Sequence, residues 1–186
     1  MNEASFVDLF VRFKAVLESR EKLLRCLCRY GVQTEGWFKA ELLCFLDNEK
    51  QTERISDLKP EAPTGVGRHK IDFKITTHSA EFETEAYIEL KHWLIGYQAG
   101  TKYNANSYFG DPTSVRPDVE KLTNIVSRSK FIVILATENP GTQDWLSGVD
   151  KFNRKFSPLK IESLNSPAEF PSFYYLGCLK VSKGVS

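Results

Sequence analysis

Two neighbouring stretches of strict two-residue alternation, residues 69–76 (HKIDFKIT) and 83–91 (ETEAYIELK), constrain the fold of this chain more than any other feature. Successive side chains of a β-strand point to opposite faces. Ile71, Phe73 and Ile75 therefore share one apolar face, with Lys70, Asp72, Lys74 and Thr76 on the other. In the second stretch Thr84, Ala86, Ile88 and Leu90 oppose Glu83, Glu85, Tyr87, Glu89 and Lys91. The polar residues 78–83 between them suit a turn, so the pair reads as a β-hairpin.

Around that hairpin the periodicity changes. Apolar residues recur three and four apart between Phe6 and Tyr30, which predicts one or two amphipathic helices ending near Gly31. Residues 37–48 (WFKAELLCFLDN) contain no helix breaker and are apolar on most of their circumference, which predicts a largely buried helix. Residues 60–67 (PEAPTGVG) read as a loop, and a first strand is expected near residues 54–58. A further helix is expected over 117–127, then the run FIVILA at 131–136, which suits a strand covered on both faces. A short helix near 144–152, a polar stretch and a last strand, FYYLGCLKV, complete the chain. Helices, a hairpin, a helix and a buried strand in this order predict an α/β or α+β class, with a central mixed β-sheet flanked by α-helices.

Composition narrows the function classes. The 186 residues are 41% hydrophobic and 26% charged, which excludes disorder, collagen-like repeats and coiled coil and predicts one domain. With 25 basic and 24 acidic residues the formal charge is +1, so any nucleic-acid surface must be a local patch. The four cysteines lack CxxC spacing and read as buried free thiols. His78 and His92 lack zinc partners, no spaced nucleophile and histidine can be argued, and the lone GVG is no phosphate loop. The sequence has neither a signal-like start nor an apolar span of membrane length, so a cytoplasmic protein with no membrane partner is expected.

The hairpin carries the chemistry. If Asp72 pairs across from Glu89, the turn centres between Ala80 and Glu81, within the polar stretch. Opposed residues lie about 4.5–5.5 Å apart at Cα, so two carboxylates and the Lys91 ammonium would crowd one spot. Carboxylates that close resist joint ionisation unless a cation compensates. Mg2+, a hard ion preferring oxygen ligands, is the natural candidate. Glu41 is a third acid: its helical neighbours Trp37, Phe38, Cys44 and Phe45 are all apolar, and an acid on such a face requires a partner. Taken singly, Glu89 and Lys91 also fit an ordinary solvent-facing pair on a half-exposed sheet, and Lys39 is the alternative company for Glu41.

A helix acid at Glu41, Asp72 on one hairpin strand and Glu89-Leu90-Lys91 on the next resemble the PD-(D/E)xK nuclease superfamily, the restriction-endonuclease-like fold. The likeness spans residues 37–136, with a helical region at 3–30 and a C-terminal extension at 144–186 outside it. Ile71 stands where the name-giving pattern has proline. The resemblance implies a core of helix, three-stranded meander, helix and strand. It also implies endonucleolytic hydrolysis of phosphodiesters, DNA being the favoured substrate, with Mg2+ or Mn2+ as cofactor. Asp72 and Glu89 would hold the metal, Glu41 would bind it directly or through water, and Lys91 would orient the attacking water.

Nucleic-acid contacts are expected from Arg68 and Lys70 beside the GVG turn, and from Lys102 and Tyr103 within residues 97–108 (YQAGTKYNANSY). Lys151, Arg154 and Lys155 form a second basic patch. The competing reading is the same fold without catalysis, acting in nucleic-acid or protein binding, and a homodimer is compatible with either.

Overall fold

The computed structural model describes residues 1, 3–30, 34–65, 67–78, 83–94, 96–98, 101–103, 115–127, 129–137, 160–164 and 174–180. Three helices, α1 (Glu3–Ser19), α2 (Glu21–Arg29) and α3 (Glu35–Gln51), precede a meander of β1 (Asp57–Pro63), β2 (Lys70–His78) and β3 (Glu83–Leu94). The short strands β4 (Gly96–Gln98) and β5 (Thr101–Tyr103) follow, then α4 (Val115–Thr123), β6 (Lys130–Thr137), β7 (Lys160–Leu164) and β8 (Tyr174–Lys180). Six strands form one mixed sheet in the order β1-β2-β3-β6-β8-β7, while β4 and β5 pair separately. Within it only β3 and β6 run parallel. A parallel pair requires a crossover connection, and α4 lies in that connection.

The alternation of the hairpin sorts the sheet into two faces. Phe73, Ile75, Ala86, Ile88, Leu90, Phe131, Val133 and Leu135 join the apolar stripes of α1 and α3 in one continuous core. Phe6 of α1 stacks on Phe131 with ring centroids 3.6 Å apart, and Phe13 meets both Phe38 and Phe45 of α3. On the other face Ile132 and Ile134 are buried, as are Leu122 and Ile125 from α4 and the residues just after it. Residues 131–135 are all buried, as expected for a strand covered on both sides. Among the described residues no helix is long and apolar enough to cross a membrane.

Several sequence expectations change. The first strand runs over Asp57–Pro63 rather than residues 54–58, so part of PEAPTGVG is strand, not loop. Pro60 and Pro63 are tolerated because β1 is the sheet edge, where a missing N–H breaks no inner ladder. The following turn uses Gly65 and Gly67 at φ of +79° and +58°, conformations open to glycine, and closes through Thr64 N–H donating to His69 O at 3.1 Å. The α3 helix buries a narrower stripe than its composition suggests, namely Phe38, Leu42, Phe45, Leu46 and Glu49. Cys44 lies outside that stripe and is exposed, and Cys26 of α2 is exposed too, so these two are not buried thiols. Strand β7 occupies what reads as a polar stretch, where pairing with β8 supplies the order that composition does not signal. The expected helix at 144–152 and Lys151, Arg154 and Lys155 lie outside the described residues.

Candidate metal and nucleic-acid site

The backbone ladder between β2 and β3 runs from His78 opposite Glu83 to Phe73 opposite Ile88. One residue further, the same register sets Asp72 opposite Glu89, and here side chains take over the hydrogen bonding. Leu90 N–H donates to Asp72 Oδ2 at 2.8 Å, and Asp72 N–H donates to Glu89 Oε2 at 3.2 Å. Each strand's backbone thus holds its partner's carboxylate, which fixes both acids at one point. A charge-assisted bond of this kind is stronger than a neutral one and positions a carboxylate well.

Three lysines surround the two acids. Lys39 of α3 donates to Asp72 Oδ1 at 2.6 Å and also bonds Glu61 of β1. Lys121 of α4 bonds Glu89 Oε1. Lys91 lies 3.3 Å from Asp118 Oδ2, one helical turn before Lys121 on the same helix. Asp118 Oδ2 is sealed from solvent, and Lys91 is the cation that meets it. Glu61 sits at φ +50°, an unusual conformation for a residue with a side chain, in the segment of β1 beside Asp72.

The electrostatics of the pair are unbalanced. Burial, then the nearby Asp72 charge, push the Glu89 carboxyl up to about 7, although Lys121 acts in the opposite direction. Burial also raises Asp118, against the opposing pull of Lys91 and Lys121. Burial would lower the Lys39 ammonium, but its bonds to Asp72 and Glu61 outweigh that and raise it. The Glu61 carboxyl is lowered by its bond to Lys39.

Asp72, Glu89 and Lys91 are therefore brought to one face, as the hairpin alternation requires. Glu41 is not brought to them. Its carboxylate accepts from Trp37 Nε1 at 3.1 Å and pairs with Arg20 at 3.3 Å, so its partners come from α3 itself and the α1–α2 junction. The physical reason is helix rotation: the residue that α3 turns towards β2 is Lys39, two positions earlier, which prefers Asp72 and Glu61 to the company of Glu41. Arg68 and Lys70 are exposed beside the glycine turn, as phosphate contacts would need to be. The backbones of Lys102 and Tyr103 lie in β5, and their side chains fall outside the described residues. His92 is buried, with Thr34 N–H donating to its Nδ1 at 3.4 Å, and burial lowers its pKa to about 4.

Asp118 and Lys121 join the site without having been expected from the sequence. A signal was available, because a crossover helix must cover a strand face bearing Glu89 and Lys91, and Asp118 and Lys121 are three apart with the complementary charges. Beside them opens a cleft of about 340 Å³ lined by Thr64, His69, Pro117, Asp118, Lys121 and Asn124 together with Glu120. Among the described residues, no three His, Cys, Asp or Glu side chains are gathered as a ready metal cluster. Two hard carboxylates nonetheless suit Mg2+, which commonly uses one or two protein carboxylates and completes its octahedron with water and substrate oxygens. Compared with protein-family models, curated proteins and solved structures, the chain matches none of them.

Proposed function

We propose that this chain is a metal-dependent nuclease of the restriction-endonuclease-like type, cutting phosphodiester bonds of nucleic acid, with DNA as the favoured substrate. The single observation that carries the reading is the reciprocal cross-strand fixation of Asp72 and Glu89, which holds two carboxylates at one point although burial and mutual charge oppose it. For Glu89 the arrangement opposes ionisation, and a cation would relieve it. The order of α3, meander, α4 and β6 supports the family resemblance.

In this reading Asp72 and Glu89 hold Mg2+ or Mn2+. When bound, the ion supplies Lewis-acid polarisation of the phosphate and makes water a better nucleophile. Lys91, steadied by Asp118 at 3.3 Å, orients the attacking water. Arg68 and Lys70, exposed at the start of β2, hold flanking phosphates, a contact that positions the strand without reading its sequence. Glu41 has no part in the set. The test is cleavage of plasmid DNA and of RNA by purified protein with Mg2+ or Mn2+, alongside Asp72→Asn. Metal-dependent cutting lost in the variant supports the reading; cutting that survives Asp72→Asn removes it.

One observation favours a second reading. Lys39 and Lys121 each already pair with one of the two acids, as they would in a site that has given up its metal and serves binding alone. That module would bind nucleic acid or protein without cutting, and its affinity would not respond to Mn2+.

A further inference from the structure

Resting on the nuclease reading, we infer that Lys121 is the cation that meets the charge of the scissile phosphate, while Lys91 remains with Asp118 and orients water. Lys91 and Lys121 face this site from different elements, and their surroundings differ in kind. Lys91 lies at ion-pair distance from a carboxylate oxygen that is closed to solvent. Drawing Lys91 away would leave that buried charge without its ion-pair partner and with only the longer-range pull of Lys121, which is costly, so Lys91 is committed where it stands.

Lys121 is tied to Asp118 only at longer range. Its partner is Glu89, one of the two acids proposed to hold the cation. A divalent ion shared by Asp72 and Glu89 would compensate the same charge that Lys121 now compensates, and an ammonium beside that ion is repelled. Lys121 also lines the cleft that opens beside Asp118, with Thr64, His69, Glu120 and Asn124 along its wall. An ammonium released from Glu89 therefore has somewhere to go, and it stays within a side chain's reach of the acids. Lysine fits this role because it is a compact point charge on a flexible stem, able to follow a phosphate oxygen as charge develops.

The bond between Lys121 and Glu89 then has two meanings. Without metal it neutralises a buried acid, and with metal it is exchanged for a contact to substrate. Removing the Lys121 charge should separate these effects, because metal binding loses a competitor while phosphate loses a partner.

The experiment compares wild type, Lys121→Met and Lys121→Arg, with circular dichroism as a check on folding. Calorimetric titration with Mn2+ is expected to give Lys121→Met an affinity up to about tenfold tighter than wild type, since a like charge has been removed. At saturating Mn2+, its affinity for inorganic phosphate should fall about tenfold, as for the loss of one charge-assisted contact. Steady-state cleavage of a labelled oligonucleotide should show kcat reduced about 100-fold with KM within threefold, and partial recovery in Lys121→Arg. Weaker Mn2+ binding by Lys121→Met, unchanged phosphate affinity, or a kcat within threefold of wild type would each overturn the assignment. If wild type cuts no substrate, the nuclease reading fails on that result. The phosphate titration still decides whether Lys121 serves an anion at this site.

Discussion

Two glutamates of this protein are buried almost equally, Glu49 at 1% exposure and Glu89 at 6%, yet the structure treats them in opposite ways. Glu49, in the last turn of α3, receives Arg12 of α1 at 2.7 Å on one oxygen and Arg54 at 2.8 Å on the other. Both carboxylate oxygens are met by guanidinium, and the acid ties two helices to the segment entering β1. Glu89 has one ammonium, one backbone N–H and a second acid across the hairpin. Equal burial therefore goes with two different kinds of compensation. Among the described residues the weaker compensation coincides with the only pair of acids that the strand register places opposite one another on the charged face of β2 and β3, the pair proposed to hold a cation.

The largest expected difference is in activity. Glu89→Gln should reduce metal-dependent cleavage by about 10³-fold or more, as loss of a metal-holding and transition-state-stabilising group does, while Glu49→Gln leaves kcat of the folded protein unchanged. A gel assay at saturating Mg2+ reads both. A cleavage rate that follows Glu49 rather than Glu89 would invert the comparison.

Stability should respond with the opposite sign. The Glu89 pKa lies above its unfolded value of 4.5, so its folded form binds more protons than the unfolded chain between pH 4.5 and about 7. Its contribution to stability is therefore full below pH 4.5 and lost as pH rises through about 7. Glu89→Gln keeps the neutral form at every pH. In metal-free buffer above pH 8 it should be more stable than wild type by up to about 3 kcal/mol in urea unfolding, with no gain at pH 4. His92 works in the other direction: its pKa of about 4 lies below the ordinary 6.5, so stability falls as pH drops from 6.5 towards 4, again by about 3 kcal/mol. The two slopes nearly cancel in wild type between pH 4.5 and 6.5. Glu89→Gln should unmask the histidine as a steep acid loss across that window, and a variant curve as flat as that of wild type would contradict the assignment of both groups.

How far these features could be read in the sequence follows from what each depends on. Alternation of period two gave Asp72, Glu89 and Lys91 a common face, and the polar turn centred them on the register found between β2 and β3. The strand β6 was legible because five consecutive buried residues leave little choice. Glu41 was misjudged because a rotation of α3 by two residues exchanges an acid for a lysine, and an apolar neighbourhood along a helix does not say which neighbour faces the sheet. Lys39 was illegible for a related reason, since it reaches the site from a helix whose packing on the hairpin is set by the whole core, while Asp118 and Lys121 carried only the weaker signal of complementary charges three apart on the crossover helix. Prolines hid β1, since a proline signals a loop until the strand is known to be an edge.

Two smaller effects sharpen the contrast further. Glu49→Gln should lower stability by about 2 kcal/mol, less than for a fully buried pair because Arg12 and Arg54 are themselves partly exposed and can turn to water. Adding Mg2+ at about ten times its dissociation constant should stabilise wild type by about 1.4 kcal/mol. That increment should persist in Glu49→Gln and vanish in Glu89→Gln, as read by the shift in melting temperature.

The most direct measurement is a calorimetric titration of wild type and Asp72→Asn with Mn2+ at pH 8, where Glu89 is ionised. Wild type is expected to bind the cation saturably, and Asp72→Asn in its folded state to bind none. Absence of binding in wild type, or equal binding in both, would mean that the two carboxylates held across the hairpin are not a cation site.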